Sequence, residues 1–110
     1  MTTFKPLEIA DIEVITQMMQ DFYAIDNYPM DVEVAKKLFQ EFISNEHLGK
    51  SWLIYSENEI AGYIILTFIF SFEYGGKIAF VDELFIKETA RGKGFGKEAI
   101  QFIQREVPKL

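Results

Sequence analysis

Residues 90–97, Ala-Arg-Gly-Lys-Gly-Phe-Gly-Lys, interleave glycine with cationic and aromatic side chains and run into a segment of helical spacing. A glycine-rich turn that opens a helix is an anion site. The first helical N–H groups lack partners within the helix, and the aligned peptide dipoles favour negative charge there. Glycine lets the main chain come close to the bound group. Upstream, Asp82 and Glu83 are adjacent acids inside the apolar stretch Ile78–Ile86. Burial raises the pKa of such carboxyls, and a positioned carboxylate can take a proton from a reacting group. Successive strand residues point to opposite faces, so a regular strand turns only one of the two toward a given pocket.

The common phosphate-binding motifs do not fit the turn. The nucleotide P-loop requires Ser or Thr after Gly-Lys, and Gly96-Lys97 is followed by Glu98. The dinucleotide fingerprint places its third glycine where Lys97 stands, and it belongs to an early parallel βαβ unit. The spacing that fits is R-x-x-G-x-G: Arg91, Gly94 and Gly96.

Other chemistries are excluded by composition. The chain has no cysteine, hence no disulfide, thiolate metal site or cysteine nucleophile. His47 is the single histidine and stands in a polar loop, so no metal site is expected. The net charge of −6 opposes nucleic-acid binding and suits a cationic small molecule. The N-terminus lacks a signal-peptide layout, and the longest apolar run, Ile60–Phe72, is too short for a membrane helix. The expectation is a cytoplasmic protein without membrane contact.

The 110 residues suggest a single domain, 1–110, and 49% apolar residues can supply a core. Thr2–Pro6 reads as a strand. Ile12, Ile15, Met18, Met19 and Phe22 recur at helical spacing, which predicts a helix over 11–23. Asn27 and Pro29 break it, and Asp31 caps a second helix with the apolar face Ala35, Leu38, Phe39, Phe42 and Ile43. Ser51–Ser56, Ile60–Phe72 and Ile78–Ile86 read as three antiparallel strands joined by turns at Glu57-Asn58-Glu59 and at Gly75-Gly76. Ile60–Phe72 is expected to be buried along its length. A helix over 96–107 follows, with the apolar face Ala99, Ile100, Ile103 and Val107. The expected fold is α/β (α+β) in the order β-α-α-β-β-β-α, a mostly antiparallel sheet flanked by helices.

The strand, the Arg91/Gly94/Gly96 loop, the helix after it and this element order together resemble the GNAT superfamily of N-acetyltransferases. The resemblance implies that the loop wraps the pyrophosphate of acetyl-CoA, the co-substrate. Main-chain N–H groups of Gly92, Lys93, Gly94, Phe95, Gly96 and Lys97 would bind it, and Arg91 and Lys93 would add charge. The main chain of Leu84, Phe85 and Ile86 would pair with the pantetheine arm as an added strand does. Asp82, and after it Glu83, would act as general base for direct attack by a primary amine of a small molecule or peptide. The loop between the first two helices would help to form the acceptor pocket, with Tyr23, Asp26 and Tyr28, and Tyr74 in the hairpin turn would lean over it. The superfamily fold continues with a fifth strand, a further helix and a tyrosine that serves as acid; Leu110 falls where that strand should begin. The resemblance therefore also implies an exposed fourth-strand edge and a homo-oligomer formed through it. The rival expectation is a non-catalytic acyl-CoA-binding or truncated remnant domain that assembles with a partner chain.

Overall fold

A computed structural model describes all residues, Met1–Leu110. Seven main elements follow in the expected order: β1 Thr2–Pro6, α1 Ile12–Ile25, α2 Val32–Ile43, β2 Gly49–Ser56, β3 Glu59–Ser71, β4 Gly76–Ile86 and α3 Phe95–Glu106. The strands form one antiparallel sheet in the order β1-β2-β3-β4, which leaves β4 on an edge. No helix is long and apolar enough to cross a membrane.

Local chemistry explains the boundaries. The Asp31 side chain accepts hydrogen bonds from the N–H groups of Glu33 and Val34 and starts α2. Glu57 and Asn58 take positive φ and turn β2 into β3. Gly75 and Gly76, at φ +81° and +136°, turn β3 into β4.

The sheet buries both faces. Leu53, Tyr63, Ile65 and Phe85 face α1 and α2, where they meet Ile12, Ile15, Met18, Met19 and Phe39. Trp52, Ile54, Ile64 and Leu66 face α3 and pack on Phe95, Ala99 and Ile103. Phe102 of α3 stacks on Phe4 with ring centroids 4.2 Å apart and meets Trp52 edge-on. Ile100, expected on this face, is exposed at the helix flank.

The long third strand is not buried along its length. It outruns β2, whose last pairing is Gly49 with Thr67. Past that point Ile69 and Phe70 are exposed, as is Phe72 at 92% just beyond the strand. The hairpin therefore projects beyond the layered part of the molecule.

Two glycines, Gly49 and Gly62, are required by close approach. A Cβ at Gly62 of β3 would lie 2.0 Å from the carbonyl oxygen of Phe85 on β4. Gly62→Ala must force the two strands apart, and a loss of about 2–3 kcal/mol is expected, as for an overpacked core. The shift of the urea midpoint at unchanged slope measures it.

Candidate active site at the β4 bulge and the glycine loop

The register of β3 on β4 jumps between two pairings. Ile65 pairs with Glu83, and the next residue, Leu66, pairs with Val81. Asp82 is therefore the extra residue of a β-bulge. The bulge changes which positions face which layer. Before it, Ala79 packs on the α3 side; after it, Leu84 and Ile86 do so, while Phe85 packs under α1 and α2. Asp82 and Glu83 consequently line one cavity together, which a regular strand forbids.

This cavity has a volume of about 240 Å³. Tyr23 and Met19 of α1, four side chains of α2, and Ile65 and Thr67 of β3 complete its lining. Asp82 is exposed and accepts no side-chain hydrogen bond. Glu83 is half-buried, and both of its oxygens are taken: Tyr63 donates to Oε1 at 2.7 Å, and Tyr23 donates to Oε2. Both phenols are pushed well above their ordinary value of 10.0, by burial first and by the hydrogen bond to Glu83 next. They are fixed donors that orient one carboxylate.

A phenol whose folded pKa is raised contributes fully below the unfolded value of 10.0 and loses that contribution as pH rises further. Stability should fall above pH 10, and Tyr63→Phe should flatten that alkaline limb. At pH 8 the same variant should lose about 1.5–3 kcal/mol, the worth of a hydrogen bond to a charged group. Urea unfolding of both proteins at pH 8 and pH 11 measures both effects.

Beyond Glu83 the strand edge is open. The Lys87 N–H donates to Ala61 O at 2.8 Å. Antiparallel alternation then turns the main-chain groups of Phe85 toward β3 and those of Leu84 and Ile86 outward. Phe85, expected to offer its main chain to a ligand, thus spends it on the sheet and its ring on the core. Arg91 folds back so that its Nε donates to the outward carbonyl of Ile86 at 3.0 Å, with the guanidinium 5.8 Å from the Phe85 ring centroid. Arg91 therefore pins the loop to the end of β4.

The loop itself fits a phosphate group. Gly92 and Gly94 adopt φ +80° and +86°, and Gly94 is the N-cap of α3. No side chain caps this helix end, and its first internal hydrogen bond runs from the Glu98 N–H to Gly94 O. The N–H groups of Phe95, Gly96 and Lys97 thus have no helical partner. A Cβ built at Gly92, Gly94 or Gly96 would meet nothing within 4 Å, so the concave side is open. Lys93 and Lys97 are exposed beside it, while the Phe95 ring is buried under the sheet.

The remaining expected residues divide. Tyr28 packs edge-on against Tyr23 at 5.8 Å between centroids but is exposed and does not line the cavity. Asp26 is exposed in the loop and lines neither cavity. Tyr74 is 70% exposed at the hairpin tip and does not lean over the cavity, because the hairpin projects away from the layers. A larger cavity of about 480 Å³ lies between the C-terminal end of α2 and the start of β2, and none of the expected site residues line it. Tyr63 and the α2 side chains were not legible as site residues. The available signal was a phenol inside the apolar run 60–72, whose hydroxyl needs a partner when buried.

Comparison of the sequence with curated proteins found no match. Among solved structures, an integron cassette protein from the mobile metagenome of the Cole Harbour salt marsh is 35% identical. That match covers 96% of this chain and 70% of the other, at a TM-score of 0.91. A possible acetyltransferase from Clostridium difficile 630 shares the fold at 15% identity and a TM-score of 0.87, over 99% of this chain and 72% of that one. A protein described as a predicted acetyltransferase from Clostridium acetobutylicum, solved with acetyl-CoA, shares it at 14% identity and a TM-score of 0.80, over 99% and 75%. The model of the Acetyltransferase (GNAT) family matches residues 13–110, the span that carries both the bulged strand and the glycine loop. With that span and that architecture, the chain belongs to the GNAT acetyltransferase family.

Proposed function

We propose that this protein transfers the acetyl group of acetyl-CoA to a primary amine by direct attack within a ternary complex. The observation that carries the reading is the bulge at Asp82. It sets two carboxylates on one cavity and leaves the outward main chain of Leu84 and Ile86, then the open glycine loop, next along the same strand. From Glu83 to Ile86 the strand advances about 10 Å, so a thioester held along this edge would end at the carboxylates.

Acetyl-CoA would supply the activated acyl group as a thioester. The loop N–H groups of Gly92–Lys97, with Lys93 and Lys97, hold the pyrophosphate end. Leu84 and Ile86 pair with the arm, apart from the carbonyl that Arg91 occupies. Glu83, fixed by Tyr63 and Tyr23, attracts the ammonium form of the acceptor. Asp82 takes one proton of the ammonium, and the neutral nitrogen then attacks the carbonyl carbon: a C–N bond forms, the C–S bond breaks as the nitrogen sheds its second proton, and coenzyme A leaves with the sulfur electron pair. One of the two protons passes to the departing thiolate and the other to solvent.

The test is thiol release from acetyl-CoA in the presence of primary amines, with the acetylated product identified by mass spectrometry. Amine-dependent release supports the reading. Micromolar binding of acetyl-CoA without acetylated product from any amine would sink it and leave the acyl-CoA-binding domain in its place.

A further inference from the structure

We infer that the acceptor is a primary monoamine carried on a compact apolar body, without a carboxylate, phosphate or second cation near the amine. This rests on the acetyl-transfer reading and concerns the same cavity. Its charged lining residues are Asp82 and Glu83, neighbours on one strand and therefore at one end. No lysine, arginine or histidine lines it. An anionic group on the acceptor would meet like charge and no partner. The helical wall is Met19, Ala35, Leu38, Phe39 and Phe42, with Ile65 beside Glu83 in the sheet. A second ammonium set against that wall would lose its water without gaining a counter-ion.

Size and exposure agree. A volume of about 240 Å³ corresponds to roughly eight waters at ~30 Å³ each. That space holds one ring or a short branched chain beside the amine. Leu38 is 59% exposed although it lies on the helix face that the sequence marks as core. A leucine at the rim of a cavity with two acids at its far end is what an apolar body would cover.

Two matched pairs of amines test the inference. L-Phenylalanine is 2-phenylethylamine with a carboxylate added; 1,5-diaminopentane is pentylamine with a second ammonium. With the purified protein and saturating acetyl-CoA, kcat/KM should favour 2-phenylethylamine over L-phenylalanine by about a hundredfold. It should favour pentylamine over the diamine by about tenfold. Leu38→Arg, at an exposed position that the fold tolerates, should narrow the first ratio to about tenfold or less by giving the carboxylate a partner. L-Phenylalanine or the diamine acetylated as well as its partner would overturn the inference and leave acetyl transfer standing. If no amine is acetylated, calorimetry with the same four amines in the presence of coenzyme A still decides. Selective binding of the two monoamines would uphold the pocket's preference while removing the transfer reading, and equal or absent binding would remove the preference.

Discussion

Gly96→Glu should make the protein more stable and nearly unable to bind acetyl-CoA. Gly96 is the second residue of α3, its φ is not in the left-handed region, and a Cβ there meets nothing within 4 Å. Replacing a helical glycine gains roughly 0.5–1 kcal/mol of propensity, and an acid in the first turn gains a few tenths more. The expected rise in the melting midpoint is about 4 °C. The same side chain places bulk and negative charge at the unpaired N–H groups of Phe95, Gly96 and Lys97, where the pyrophosphate is proposed to sit. The dissociation constant for acetyl-CoA should rise about a hundredfold, which is roughly 2.7 kcal/mol. Gly94→Glu is the poorer test, because φ +86° would add backbone strain to any loss of binding. Calorimetry beside a thermal melt separates the two effects. Unaltered binding by a stabilised Gly96→Glu would show that the loop is not the pyrophosphate site.

Asp82→Asn should lower kcat about a thousandfold, within the usual range for loss of a general base, while acetyl-CoA binds as before. The side chain is exposed at the bulge and accepts no side-chain hydrogen bond, so the isosteric change should leave stability within about 0.5 kcal/mol. Glu83→Gln should behave differently. Its amide keeps one good acceptor for two phenols, Tyr63 and Tyr23, and loses the charge that both bonds use. It should lose stability as well as rate, by about 1.5–3 kcal/mol. Rate and melting midpoint measured together distinguish a proton acceptor from a carboxylate that positions. A fast Asp82→Asn beside a slow Glu83→Gln would transfer the role of base to Glu83.

Much of this architecture is local chemistry and was legible in the residues. Helical spacing of Ile12, Ile15, Met18 and Met19 places α1, the Asp31 cap begins α2, and the glycines at 75 and 76 reverse the chain. The glycine loop could be read for the same reason. Left-handed φ at Gly92 and Gly94 and an uncapped helix start depend on residues within one short segment. What the sequence could not supply was register. Whether Asp82 and Glu83 share a face depends on how β4 aligns with β3, and Ile65 and Leu66, well over ten residues away, set that alignment. The cavity is non-local in the same way, because α1, α2, β3 and β4 each contribute part of its wall. Periodicity marked Leu38 as core, since spacing reports a face but not whether another layer covers all of it. The exposure of Phe70 and Phe72 follows from β2 ending sooner than β3, a comparison of two strands that neither encodes alone. Short-range sterics and hydrogen bonding thus determined the elements and the anion loop. The pairing of distant strands decided which acids meet, which phenols hold them and how large a body can reach them.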